Sequence, residues 1–410
     1  MRTAKPASAN DLGLPPDSYI YSLRAAGQDA LAALSSDDSI RTFGRGSLKL
    51  LPDGVIQNAH ASVTCLENWD DEGNVLATCG RDGVVRFWDR RTRREVLRFE
   101  HSKPHPLSAL TTHFSTNLVI TGAELPKDPP GDAPMHAWDA RAPAKPRLSL
   151  LESHTDTVTQ LALHPSQPST LLSASTDGLV SVFDLRQADE DEALRAVLNH
   201  RSAVHHAGWL DSSANAAAGA EDVWVFGTDE TLGFYRVTDS ADDDDDDGDE
   251  GARRQENDEI KPVLIGDVRD KLACSYVVNM YRGPTTSLSL PLVAAGNTTS
   301  QHLDLLPLQP PAATADSPLA YSCAPTDPRA LRLPGAHGEE IVRDVFFDER
   351  SARWFTCGED GHVRAWDAGD AWGADRGEGG KEKAEKEERR ASRKEKRREK
   401  EKGKDRFKPY

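Results

Sequence analysis

Three stretches, LATCGRDGVVRFWD (76–89), LLSASTDGLVSVFD (171–184) and WFTCGEDGHVRAWD (354–367), are near copies of one another. Each opens on small and apolar residues, passes through Asp-Gly, alternates, and ends in an aromatic residue followed by Asp. The pairs Asp82-Gly83, Asp177-Gly178 and Asp360-Gly361 suit two-residue hairpin turns, which need positive φ that Gly supplies. After the turn, Val85 and Phe87 flank Arg86, and Val363 and Ala365 flank Arg364, the period-two pattern of a strand. Such a unit cannot bury both its faces alone. Its recurrence therefore predicts an all-β array of units that cover one another.

The spacing says more. Asp82 lies six residues before Trp88, Thr78 four before Asp82, and His60 eighteen before Thr78. His337, Thr356, Asp360 and Trp366 repeat this with one extra residue in the loop, while His154, Ser173 and Asp177 repeat it with Phe183 in place of Trp. Polar groups beside a buried strand must find hydrogen-bond partners. The series resembles the structural tetrad of the WD-repeat family, in which Trp, Ser/Thr, His and Asp bond in succession across a blade. That resemblance implies an all-β, seven-bladed WD-repeat β-propeller in which these histidines are structural.

Seven blades are countable. The first reads 19–23, 30–34 and 39–43, with Asp37 six before Phe43; the second spans 62–100; the third spans about 107–151, with Thr121 and Trp138 in register around a Pro-rich insertion. The fourth carries the middle repeat. The fifth holds Trp209 and Asp229, six before Tyr235; the sixth is built from SYVVNMYRG, SLPLVAAG and TSQHLDLL; the seventh spans 340–367. The last blade needs a fourth strand, for which the N-terminal segment 1–17 is the candidate, leaving 18–370 as the propeller. Two segments read as excursions: an acidic, disordered insert at 239–259 between blades five and six, and a Pro- and Ala-rich connecting loop at 306–334. In the first, Asp243, Asp245 and Asp247 mimic the start of a calcium loop, but Arg254 stands where the bidentate Glu is required.

Residues 376–410 carry 16 Lys/Arg against 9 Asp/Glu, about +7, so the rest of the chain bears about −24 of the net −17. Glu382/Lys386 and Glu385/Arg389 lie four apart with Glu first, favouring a partly helical, solvated tail over 371–410. Its densest basic run, with Arg389, Arg390, Arg393, Lys394, Lys396, Arg397 and Arg398, reads as a nuclear localisation signal and offers RNA contact. Interleaved Glu weakens the latter. Arg389-Arg390-Ala391-Ser392 also has the form of a basophilic kinase site. The five cysteines form no CxxC pair, which points to a reducing compartment with neither disulfide nor zinc. No run of eighteen apolar residues or signal-peptide core occurs, so neither secretion nor membrane insertion is expected.

The ends of the Trp-Asp strands carry a further pattern. Residues 76–91 resemble the box by which WD-repeat substrate receptors dock on the adaptor of cullin-4 ubiquitin ligases. It ends in Trp88-Asp89-Arg90-Arg91, recurs as Trp138-Asp139-Ala140-Arg141, and keeps its Arg in Phe183-Asp184-Leu185-Arg186. The resemblance implies adaptor contacts by Asp89, Arg91, Asp139, Arg141, Asp184 and Arg186, by bidentate Arg chemistry. The alternative is that each Arg pairs with a nearby acid. Over most of the propeller, HTDTVTQLALHPSQPSTLLSASTDGLVSVFDL (154–185), EDEAL, IGDVRD, VVNM and RDVFFDERSARWFTCGEDGHVRAWD (343–367) are similar to the family of WD repeat-containing protein 89. This implies a nuclear propeller without established enzymatic activity.

No GxSxG elbow, HExxH, Walker loop or CxxC appears, so catalytic, cofactor-binding and metal-binding residues are all expected to be none. Trp69, Trp209 and Trp354 read as core. The expectation is a monomeric, non-enzymatic scaffold in the nucleus, with some cytoplasmic presence. It would bind protein partners, basic ones through its acidic surface. A cullin-4 substrate receptor and a ribosome-assembly or RNA-associated factor are the alternatives.

Overall fold

The second strand of each repeat is apolar or small at nearly every position, and the structure explains why. In the computed structural model, which describes residues 1–126, 131–210, 220–238, 261–283, 290–312, 317 and 319–369, these strands lie between neighbouring blades and are covered on both faces. Ala30–Ser35, Leu118–Ala123 and Thr170–Ser175 are buried at every residue. Outermost strands such as Arg94–Glu100 are largely exposed. Each blade is an antiparallel ladder of four strands running outward from a central channel, to which blade six adds a short parallel strand at its outer edge. The innermost strands are Ile20–Ala26, Val63–Asn68, Leu107–His113, Val158–Leu163, Val204–Leu210, Tyr276–Tyr281 and Val342–Asp348.

Seven buried apolar clusters occupy the seven gaps between successive blades, each drawing on the two that flank it. In the gap between blades seven and one, for example, Phe355 and Cys357 pack against Ile20, Leu23, Leu31 and Phe43. No blade owns a core. Burial of this kind is won only by stacking neighbours.

The N-terminus closes the ring. Lys5–Asn10 pairs antiparallel with Val363–Asp367 as the outer strand of blade seven, with Pro6 against Trp366 and Asn10 against Val363. Just before it, Arg2–Thr3 pairs in parallel with Leu331 and Arg332 of blade six. The first ten residues thus bridge two blades.

Two boundaries read from the sequence are corrected. The 306–334 stretch is not simply a connecting loop: His302–Pro307 and Leu331–Pro334 are the third and fourth strands of blade six. Between them, Leu308, Leu319, Tyr321 and Ala330 are buried in the gap against Trp224, Phe226 and Phe234 of blade five. The prolines masked these sparse apolar anchors. Likewise the acidic insert does not separate blades five and six. The outer strand of blade five, Val263–Asp267, follows it and pairs with Thr231–Thr238, so the insert joins the third and fourth strands of one blade. The insert itself and the tail from 370 onward, with the basic run 389–398, lie outside the described residues.

Candidate functional site

Hydrogen-bond chains stand where the spacing placed them. His60 Nδ1 is 2.9 Å from Asp82, His60 Nε2 is 2.8 Å from Thr78 Oγ1, and Trp88 Nε1 donates to Thr78 at 2.8 Å. In blade seven, His337 lies 2.6 Å from Asp360 and 2.8 Å from Thr356, to which Trp366 donates at 3.0 Å. Blade four joins His154 to Asp177 at 2.9 Å and to Ser173 at 2.7 Å, with Phe183 buried in the Trp position. The bonding is self-consistent if each His is neutral, donating from Nδ1 to the carboxylate and accepting at Nε2 from the hydroxyl. Arg86 and Arg364, read from the sequence as strand alternation, also pair with the tetrad carboxylates of Asp82 and Asp360.

The remaining blades improvise. In blade five, which lacks a Trp at this point, His200 bonds Tyr235 Oη at 3.1 Å and Thr231 at 2.9 Å. Its place in the loop before the innermost strand, like that of His154, was the signal available. Blade one has no His; Arg41 pairs with Asp37 at 2.6 Å. In blade three, Trp138 Nε1 and His136 Nε2 are buried without a hydrogen-bond partner among the described residues. Blades one and five also carry an acid where the turn Gly stands elsewhere. Asp38 (φ 61°) accepts the backbone N–H of Val63 at 2.8 Å, and Glu230 (φ 64°) that of Val277 at 2.7 Å. Each acid fastens its blade to the next.

The tetrad histidines of blades two and seven make stability pH-dependent. Burial pushes His60 and His337 below the ordinary imidazole range. For Asp360, burial opposes ionisation, yet the hydrogen bond from His337 holds its carboxyl well below the usual value. A folded-state imidazole pKa below the unfolded value of about 6.5 means the unfolded chain binds more protons beneath that pH. The neutral-His contribution is therefore complete above about pH 6.5 and shrinks as pH falls. The carboxylate contribution is complete above about pH 4 and is lost only below it. Urea midpoints should fall between pH 7 and 5, and less steeply in His337→Gln, compared at each pH with its own pH 7 value. Equal slopes would exclude His337 as a source.

Inside the ring, the channel wall is polar and crosses blades. Arg24 of blade one reaches Glu67 of blade two at 2.8 Å and Asp344 of blade seven at 3.2 Å, and Tyr281 of blade six donates to Asp344 at 3.1 Å. On the opposite side Gln160 and His206 of blades four and five are 3.0 Å apart, and burial lowers His206 to a pKa of about 3. At the mouth on the turn side, a cavity of about 460 Å³ is bordered by Tyr21, Asp38, Arg81, Glu124, His205 and Arg343. Arg81 and Glu124 bridge blades two and three there at 2.6 Å.

The Asp-x-Arg turns follow the third strands of blades two, three and four, at one face of the ring. Two of the three arginines fold onto their own aspartates: Arg141 on Asp139 at 2.9 and 2.6 Å, and Arg186 on Asp184 at 2.9 and 2.7 Å. Asp267–Arg269 and Asp327–Arg329 do the same. Arg91 differs. Asp89 accepts the backbone N–H groups of Arg91 and Thr92 at 2.8 and 2.9 Å, and the exposed Arg91 makes no ion pair among the described residues. Of the tryptophans, Trp354 is fully buried, whereas Trp69 and Trp209 are only half-buried, at the end of the channel away from the Asp-Gly turns and on the same face as the Asp-x-Arg turns. There Trp209 donates to Ala162 O at 3.1 Å, and Trp69 meets the exposed Phe114 edge-on.

Residues 54–89, 145–184 and 330–367 match the WD domain, G-beta repeat family. An uncharacterized WD repeat-containing protein of Saccharomyces cerevisiae is 29% identical over 76% of this chain and 70% of its own. One of Schizosaccharomyces pombe is 25% identical over 85% of this chain and 95% of its own. The WD repeat-containing protein 89 homolog of Dictyostelium discoideum is 25% identical over 48% of this chain and 54% of its own. Among solved structures, a chain of the Mitotic Checkpoint Complex superposes with a TM-score of 0.60 at 15% identity, over 90% of this chain and 93% of that one, a likeness of fold alone. The repeat matches, the homologues and the seven-bladed ring together show WD repeats arranged as a propeller, as in the WD-repeat proteins this chain is similar to, an architecture that generally serves as a protein-interaction scaffold.

Proposed function

We propose that this chain is a non-enzymatic scaffold that gathers protein partners in a nuclear complex. The channel mouth carries the reading: Tyr21, Asp38, Arg81, Glu124, His205 and Arg343, from five blades, border one cavity of about 460 Å³. The exposed Tyr19 stands beside Tyr21 at the start of blade one. Aromatic and Arg side chains on a rigid frame suit an interaction hot spot, and the net charge of −17 favours basic segments as partners, with association weakening in salt. The tetrad histidines, with both ring nitrogens engaged, support a structural role over catalysis. Nuclear placement rests on the basic run at 389–398.

A second reading, docking on a cullin-4 adaptor, is favoured by one observation: the exposed Arg91 makes no ion pair among the described residues, unlike Arg141 and Arg186. A single experiment separates the readings. Proximity labelling in cells should lose its strongest partners with Tyr21→Ala plus Arg81→Glu, keep them with Arg91→Ala plus Arg141→Ala, and shift to the cytoplasm when 381–410 is deleted. Loss of a cullin adaptor in the Arg91/Arg141 variant would establish the second reading instead. A partner set indifferent to the Tyr21/Arg81 change would overturn the first.

A further inference from the structure

Cys65 and Cys79, fourteen residues apart in the chain, are direct cross-strand partners in blade two. Both thiols face blade three. Cys65 donates to the carbonyl of Ser108 at 3.1 Å, and Cys79 lies 3.4 Å from Thr64 Oγ1, in the gap lined by Val85, Phe87, Leu107 and Val119. Directly opposed residues of antiparallel strands have Cα atoms about 4.5–5.5 Å apart, inside the span a disulfide bridges. Access is unequal. Cys65 is half-buried and borders the channel, whereas Cys79 is fully buried.

We propose that blade two is an oxidation site, at which a peroxide entering the channel converts Cys65 and Cys79 into a cross-strand disulfide. The Cys65 thiolate attacks one peroxide oxygen. The S–O bond forms, the O–O bond breaks, and the leaving hydroxide takes up the proton lost by Cys65, giving water and a sulfenic acid. The Cys79 sulfur then attacks the Cys65 sulfur, the S–O bond breaks, and the departing hydroxide takes the Cys79 proton as a second water. Two thiols lose two electrons and two protons, and one peroxide is reduced to two waters. Burial and the neighbouring thiol raise Cys79 well above the ordinary thiol range, which suits it to the resolving step rather than the first attack. Blade seven holds a built-in control. Cys357 occupies the position of Cys79 in the repeat, fully buried, but its register partner is Asp344.

The test is peroxide titration of the native full-length chain, followed by alkylation and mass spectrometry of non-reduced peptides. Both cysteines fall in one tryptic peptide, so a Glu-specific protease is added to cut after Glu67 or Glu72 between them. The expected product is a Cys65–Cys79 linked pair, two hydrogens lighter and reversed by a dithiol, with Cys357 still alkylatable after unfolding. In Cys79→Ala, dimedone should trap Cys65 sulfenic acid several-fold more than in the wild-type chain; Cys65→Ser should leave Cys79 reduced. The proposal is overturned if both thiols survive a dose that oxidises Cys274 or Cys323. It is equally overturned if dimedone labels Cys65 to the same extent with and without Cys79.

Discussion

Deleting residues 1–12 is expected to lower the unfolding free energy by on the order of 3–5 kcal/mol, combining a lost core side chain with lost ladder bonds. Three losses coincide. Blade seven is stripped of its outer strand, leaving the edge of Val363–Asp367 unpaired. Leu12, 1% exposed, leaves the gap between blades seven and one. Arg41, buried in blade one, loses the Leu12 carbonyl it donates to at 3.0 Å. The entropy regained by a dozen unordered residues offsets only part of this. The single change Leu12→Ala isolates the core component at about 2–4 kcal/mol. Both are read from urea midpoints. The truncated chain should also self-associate through the bared edge, and a synthetic peptide of residues 1–13 should restore the midpoint. An unchanged midpoint would mean that this strand does not hold the ring shut.

How far such devices can be read from the chain depends on where their partners lie. The tetrads of blades two and seven are legible because His60 and Asp82, or His337 and Asp360, sit within one repeat at fixed spacing and bond each other. Fastenings between blades are not. Nothing in the sequence around Asp38 or Glu230 says that their acceptor atoms meet the backbone of Val63 or Val277, because the partner is a main-chain N–H with no residue signature. The same holds for the channel, where Arg24, Glu67, Tyr281 and Asp344 come from four blades. Outer strands fade for a different reason. Val263–Asp267 and Leu331–Pro334 follow insertions; the first shows no clear apolar-polar alternation, and the second alternates over too few residues to stand out. Among the candidate interaction residues, the Asp-x-Arg pattern marked three turns alike. Side-chain geometry distinguishes Arg91 from Arg141 and Arg186, whose guanidinium groups are already engaged.

The blade-six insertion is where an unread feature carries the most energy. Its Tyr321 donates to Asp222 of blade five at 2.7 Å, and the same carboxylate holds Arg236 at 2.6 and 2.9 Å. Asp222 is fully buried, and the Arg236 side chain is 6% exposed. Asp222→Ala therefore strands a guanidinium and a phenol without an acceptor, which should cost about 3–5 kcal/mol. The reason lies in what remains, not in the bond removed. Replacing both charges, as Asp222→Leu with Arg236→Met, should recover most of the loss, since a buried ion pair is often no better than well-packed apolar groups; the unpaired Tyr321 hydroxyl would keep a deficit of about 1–3 kcal/mol. Because Tyr321 ties the insertion down, Asp222→Ala should also speed tryptic cleavage after Arg329, by local opening of the segment. Urea unfolding and limited proteolysis measure the two effects separately. A single variant within about 1 kcal/mol of the wild type would mean that water reaches Arg236 and solvates it, and that the gap between blades five and six is open at this point.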